Sequence, residues 1–130
     1  MNSLVTVLEN KKNVYHKAGV DEKVLIDAET SLGLHFSNDY KEYLSNFGLI
    51  SYESHELTGI CESPRLNVVE ATKREKAENE YLTEDMYLLE QLGVENLSIW
   101  QNTNGEIFEV PYKGKPRKIF DSLIEYIEKF

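Results

Sequence analysis

Apolar positions recur at helical spacing in the first third of the chain and at strand spacing in much of the remainder. Leu4, Val5, Leu8, Lys12 and Tyr15 predict a helix over residues 3–17, capped by Ser3 and ending near Gly19. Asp21 and Glu22 place acid at the positive end of a second helix, whose apolar face is Val24, Leu25, Ala28 and Leu32. Tyr40, Tyr43, Leu44 and Phe47 fall at i, i+3, i+4 and i+7 of a third. Gly33 and Gly48 follow the second and third helices where a left-handed closing residue belongs, and Ser37, Asn38 and Asp39 are all good N-caps. The stretch from Glu29 to Gly48 therefore reads as a helix end, a corner, a second helix and a stop.

From Leu49 to Ile60 the residues are rich in β-branched and aromatic types, which predicts two short strands with a turn near Glu53 to His55. Ser63-Pro64 marks a loop, and Val68-Val69 is a candidate for one more extended piece. Thr72 and Glu75 have capping-box spacing, which predicts a polar, exposed helix from Thr72 to Asn79 or Tyr81. Residues 86–91 fit either a short helix or a strand. Leu97–Gln101 and Glu106–Val110 alternate around an Asn104-Gly105 turn and form the clearest hairpin in the chain. Tyr112 to Pro116 is a basic turn, and Asp121 or Ser122, the latter at capping-box spacing from Glu125, caps a last helix carrying Leu123, Ile124, Ile127 and Phe130. The order predicts one α+β domain over 1–130, with N-terminal helices and a C-terminal helix packed around a mainly antiparallel sheet.

Composition narrows the function. The 14 Lys and Arg are outnumbered by 23 Asp and Glu, for a net charge of −9 over 130 residues. Such a balance disfavours nucleic acid and anionic membrane as partners, since both call for basic surface. Cys61 is the single cysteine, so no internal disulfide forms and a reduced compartment is expected. No basic N-terminal region precedes a long apolar core, and no run approaches the roughly 20 apolar residues of a membrane span. A cytoplasmic protein is expected.

Catalytic constellations are sparse. His16, His35 and His55 lie on separate predicted elements, and only His55 has neighbours of interest, in Glu56, Cys61 and Glu62. His55-Glu56 lacks the second histidine of a zinc-protease helix, and no phosphate-binding glycine loop or paired-cysteine pattern is present. Neither an enzyme, a cofactor nor a metal is expected. The charge is distributed unevenly. No Lys or Arg occurs between Glu42 and Glu62, where Glu53 and Glu56 lie, or between Tyr81 and Tyr112, where Glu84, Asp85, Glu90, Glu95, Glu106 and Glu109 lie. If the sheet joins these segments, they form a negative face. Trp100 reads either as a core residue of the hairpin or, if exposed, as a binding anchor.

Several of these positions together resemble the SUKH superfamily, which groups yeast cell-wall-synthesis regulators with bacterial immunity proteins. The matching residues are Ile26, Glu29, Leu32-Gly33, Asp39-Tyr40, Leu44, Gly48, Glu56 and Gly59, and more loosely Thr72, Arg74, Ile99-Trp100, Gly105, Ile107-Phe108 and Ser122 to Tyr126. Phe36-Ser37 stands where the family usually has Leu-Pro, and Ser37 takes over the capping. The resemblance implies a non-catalytic binder of a cognate toxin domain, frequently a nuclease, or else a scaffold module like the yeast relatives. For a toxin with a basic groove, the contact residues expected are Glu53, Glu56, Glu84, Asp85, Glu90, Glu95, Trp100, Glu106 and Glu109.

Overall fold

The computed structural model describes residues 4–11, 13–93 and 96–129. Its elements are α1 (Leu4–Glu9), β1 (Tyr15–His16), α2 (Glu22–Leu32), α3 (Asn38–Phe47), β2 (Ile50–Tyr52), β3 (His55–Glu56), α4 (Val68–Lys76), β4 (Met86–Gln91), β5 (Leu97–Asn102), β6 (Ile107–Pro111), β7 (Arg117–Phe120) and α5 (Leu123–Lys129). The strands form two antiparallel sheets, β1-β2-β3 and β4-β5-β6-β7. The fold is α+β, as the order of elements predicts.

The two sheets are joined along one seam. The Thr58 amide donates to the Leu89 carbonyl at 2.8 Å, and the Thr58 hydroxyl to the Leu88 carbonyl at 2.6 Å. Register shifts between Leu88 and Glu90, a bulge that alters which residues of β4 face the seam. Alternation along the strands sorts the core into two parts. Tyr87, Leu89, Ile99 and Ile107 join the main core with α1, α3 and α5, while Met86, Leu88, Trp100 and Val110 pack with Ala71 and Leu82 on the other face.

The helix–corner–helix from Glu29 to Gly48 holds this arrangement together. Gly33 lies at φ 69° and its amide closes α2 on the Glu29 carbonyl. The buried Glu29 carboxylate accepts the Phe36 amide at 2.7 Å, which fixes the corner. The Ser37 hydroxyl caps α3 at the Tyr40 amide, 3.3 Å away. From there a buried chain crosses the domain. The Ser37 amide donates to the Tyr87 hydroxyl, which donates to Gln101 Oε1; Gln101 Nε2 reaches Asp39, and the other Asp39 oxygen accepts the Leu123 amide at 2.7 Å. Asp39 thus caps α5 in addition to opening α3.

Two local expectations are revised, one open alternative is decided and one further strand is added. The first helix stops at Glu9, because Asn13 sits in the left-handed region at φ 58° and Tyr15 pairs with Ser51 as an edge strand. Its expected cap Ser3, and Lys12, lie outside the described residues, as does Phe130. The fourth helix begins at Val68, so Val68-Val69 is its first turn and not an extended piece. Asn67 is the cap, accepting the Val69 and Glu70 amides, while Thr72 lies inside the helix and its hydroxyl accepts the Leu88 amide. Residues 86–91 are a strand, buried on both faces, which explains their nearly continuous apolar run. Finally, Arg117–Phe120 is a fourth strand of the larger sheet, its charged start having concealed the extended pattern.

Candidate interaction surface

The anticipated recognition residues do not share one face. Glu53 is exposed on the β2–β3 turn, at φ 53°. Glu56 is exposed on β3 and held by the two terminal guanidinium nitrogens of Arg65, at 3.1 and 3.2 Å. That pairing holds its carboxyl below the usual range. Glu84 and Asp85 precede β4 at its far end, where Met86 pairs with Asn102. Glu106 belongs to that same end, accepting from Asn102 at 2.9 Å and lying 3.0 Å from Lys118. These contacts depress the Glu106 carboxyl, while Asp121 and Glu106 together push Lys118 up to about 12. Glu109 is half-buried and paired with Arg117 at 2.9 Å. Glu95 lies outside the described residues.

Two of the expected contact residues lie inside the protein, which corrects their place on an acidic face. Glu90 is 2% exposed. Its carboxylate accepts the Tyr126 hydroxyl at 2.5 Å and the Glu56 amide at 3.1 Å, and His55 Nδ1 lies 3.0 Å away. Burial, reinforced by the Glu90 charge, holds the Tyr126 hydroxyl far above its ordinary pKa, so it stays a proton donor. The bulge in β4 accounts for Glu90's position, and sequence alternation alone does not reveal a bulge. Trp100 is 1% exposed, with its indole N–H donating to the Ser98 hydroxyl at 2.8 Å. As the single tryptophan it is a direct reporter: its emission should be blue-shifted and resist iodide quenching in the folded state. Emission at the wavelength of a solvated indole would contradict this burial.

The basic residues of α4 and of the segment from Lys113 to Lys118 are largely engaged. Lys73 reaches Ser31, Arg74 pairs with Glu75, and Lys118 bridges Glu106 and Asp121. Lys113 and Lys115 lie over the rings of Tyr112 and Tyr81. Around Tyr112 the structure brings together a surface the sequence had not grouped. A cleft of about 180 Å³ is lined by Glu75, Glu78, Leu82, Trp100, Val110 and Tyr112, among others. Tyr112 is 59% exposed, and the Asn79 amide ties one side of the surface to the other through the Gly114 carbonyl. The missed signal was Tyr112, an exposed aromatic residue that alternation does not place in either core.

Among the described residues no group of three or more His, Cys, Asp and Glu is arranged to hold a metal ion. Cys61 is half-buried, its thiol 3.6 Å from the Ser63 carbonyl. Among those residues no helix is long and apolar enough to cross a membrane.

Residues 1–130 match the model of the family described as SUKH_5: SMI1-KNR4 cell-wall. The chain belongs to the SUKH family. No curated protein matches the sequence. In this SUKH domain the residues that carry the resemblance are mostly structural: Glu29 braces the corner, Asp39 joins two helix starts, and Tyr40 is completely buried. Gly59 abuts Gly48, where an added Cβ would stand 2.1 Å from the Gly48 carbonyl oxygen. Ile26 is different, being 50% exposed on α2.

Proposed function

We propose that this SUKH domain is an immunity protein: a non-catalytic binder that neutralises the C-terminal toxin domain, a nuclease, of a cognate bacterial polymorphic or contact-dependent toxin. Family membership over the whole chain carries the reading, because immunity proteins are part of the wider family that the sequence resembles. The charge of −9 supports it further, since a nuclease presents basic surface to its nucleic-acid substrate. An acidic inhibitor both blocks such a surface and is steered toward it. On this reading the protein acts in the cytoplasm, with neither metal nor cofactor. The exposed carboxylates Glu53 and Glu84, together with the Asp85 and Glu106 end of the large sheet, are the first candidates for long-range steering.

The family description, SMI1-KNR4 cell-wall, favours a second reading as a regulatory scaffold that binds cellular proteins. Co-expression separates the two. The chain should rescue cells from the toxin domain encoded beside it and co-purify with that domain, with an association rate that falls as salt is raised. Loss of both rescue and co-purification would remove the immunity reading and leave the scaffold.

A further inference from the structure

We propose that the cleft beside Tyr112 is an anchor site for a single arginine side chain of the protein partner; this extends the binder reading above and rests on it. Three observations converge there. The cleft is small, about 180 Å³, below the roughly 300–1,000 Å³ of small-molecule sites. A side chain suits it better than a cofactor. Its lining combines the apolar side chains of Leu82, Trp100 and Val110 with the carboxylates of Glu75 and Glu78. The exposed ring of Tyr112 lines it too.

That combination matches the chemistry of arginine. Its aliphatic stem gains from apolar contact while its head remains charged. The guanidinium stacks on aromatic faces and meets carboxylates through paired N–H groups, which lysine cannot reproduce. Glu75 is already in contact with Arg74, at 3.1 Å, so a guanidinium of this chain demonstrates what the carboxylate accepts. Lys113 lines the same cleft and lies over the Tyr112 ring, 5.3 Å from its centroid, so the ring already holds a cation of this chain, which an incoming guanidinium would displace or share the ring with. The Asn79–Gly114 hydrogen bond, at 3.0 Å, pins the helix side to the β6–β7 turn. The site is thereby formed before a partner arrives, which limits the ordering cost of binding.

The test uses the intact chain and N-acetyl-arginine amide as the probe, with the neutral isostere N-acetyl-citrulline amide as control. Trp100 supplies a single indole N–H resonance at the cleft. The arginine probe should shift that resonance and the amides of Glu78, Asn79 and Tyr112 in a saturable way, and the citrulline probe should not. Changing both Glu75→Gln and Glu78→Gln should weaken the probe by about five- to tenfold, the scale of two exposed charge contacts. Equal binding of the two probes, or shifts scattered over other acidic residues, would overturn the assignment. So would concentration-dependent shifts at the cleft without any probe, which would mark self-association instead. A toxin domain that binds the Glu75→Gln, Glu78→Gln, Tyr112→Ala variant as tightly as the parent would defeat the anchor and leave the immunity reading standing. Selective capture of the arginine probe with no capture of the toxin would do the reverse.

Discussion

Replacing Glu90 by alanine should destabilise the domain by about 3 kcal/mol or more, and should do so without any toxin present. The carboxylate is buried and receives the Tyr126 hydroxyl and the Glu56 amide, with His55 against it. Truncation strands these groups away from water, and a buried donor without its acceptor costs about 1–3 kcal/mol. Loss of one side of a buried charged contact reaches about 3–5 kcal/mol. At a urea slope of about 2 kcal/mol/M, the unfolding midpoint should drop by about 1.5 M. Glu53→Ala and Glu106→Ala, by contrast, should remain within about 0.5 kcal/mol of the parent. An unchanged midpoint for Glu90→Ala would show that the carboxylate is not part of the internal framework. The comparison also governs any charge-reversal experiment. A variant that includes Glu90 would lose binding by unfolding, so Glu53, Glu84 and Glu106 are the positions that can report on steering.

Gly48→Ala should be at least as damaging, at about 3–5 kcal/mol, for two reasons that add. The residue lies at φ 69° and ψ −50°, a sparsely populated conformation where a side chain costs about 1–3 kcal/mol. Its added Cβ would also stand 2.3 Å from the Ala18 carbonyl oxygen, and forced overpacking costs about 1–3 kcal/mol. Gly33→Ala is the milder counterpart. Gly33 shares the φ of 69° but lies at ψ 32°, in the left-handed region, whereas Gly48 lies outside it at ψ −50°; and nothing lies within 4 Å of a Cβ added to Gly33. It should therefore cost only about 1 kcal/mol. Equal losses of melting temperature in the two variants would show that neither the close approach of the loop before α2 nor the ψ of Gly48 adds to its cost.

The parts of the fold legible in the sequence are those with local causes. The corner from Glu29 to Gly48 was readable because Gly33, Ser37 and Gly48 each act within a few residues of their own position. The hairpin around Asn104-Gly105 was readable for the same reason, its turn and alternation agreeing with each other. Errors arose where tertiary partners chose among equivalent local options. Asn67 and Thr72 are both cap types, and the choice fell to Asn67 because the Thr72 hydroxyl serves the Leu88 amide across the interior. The same applies to the candidate surface. A count of carboxylates does not distinguish Glu90, buried by a bulge, from Glu84, which faces solvent. Nor does it show that Glu75 and Glu78, adjoining a run of basic residues, line a cleft with Tyr112.

The bond between Asp39 and the Leu123 amide sets an order of events in synthesis. Helix α1 packs on α5, and both belong to the main core. A nascent chain that has emerged only as far as the large sheet lacks Leu123, Tyr126 and Ile127, and with them the donor to Glu90. Its early helices can form one by one, but the core around them stays open. Contacts this distant along the chain slow the final collapse, because each must first bear the entropy of closing a long loop. Completion of this fold therefore waits for residues 123–129 to leave the ribosome, however early the signature at residues 29–48 has taken shape.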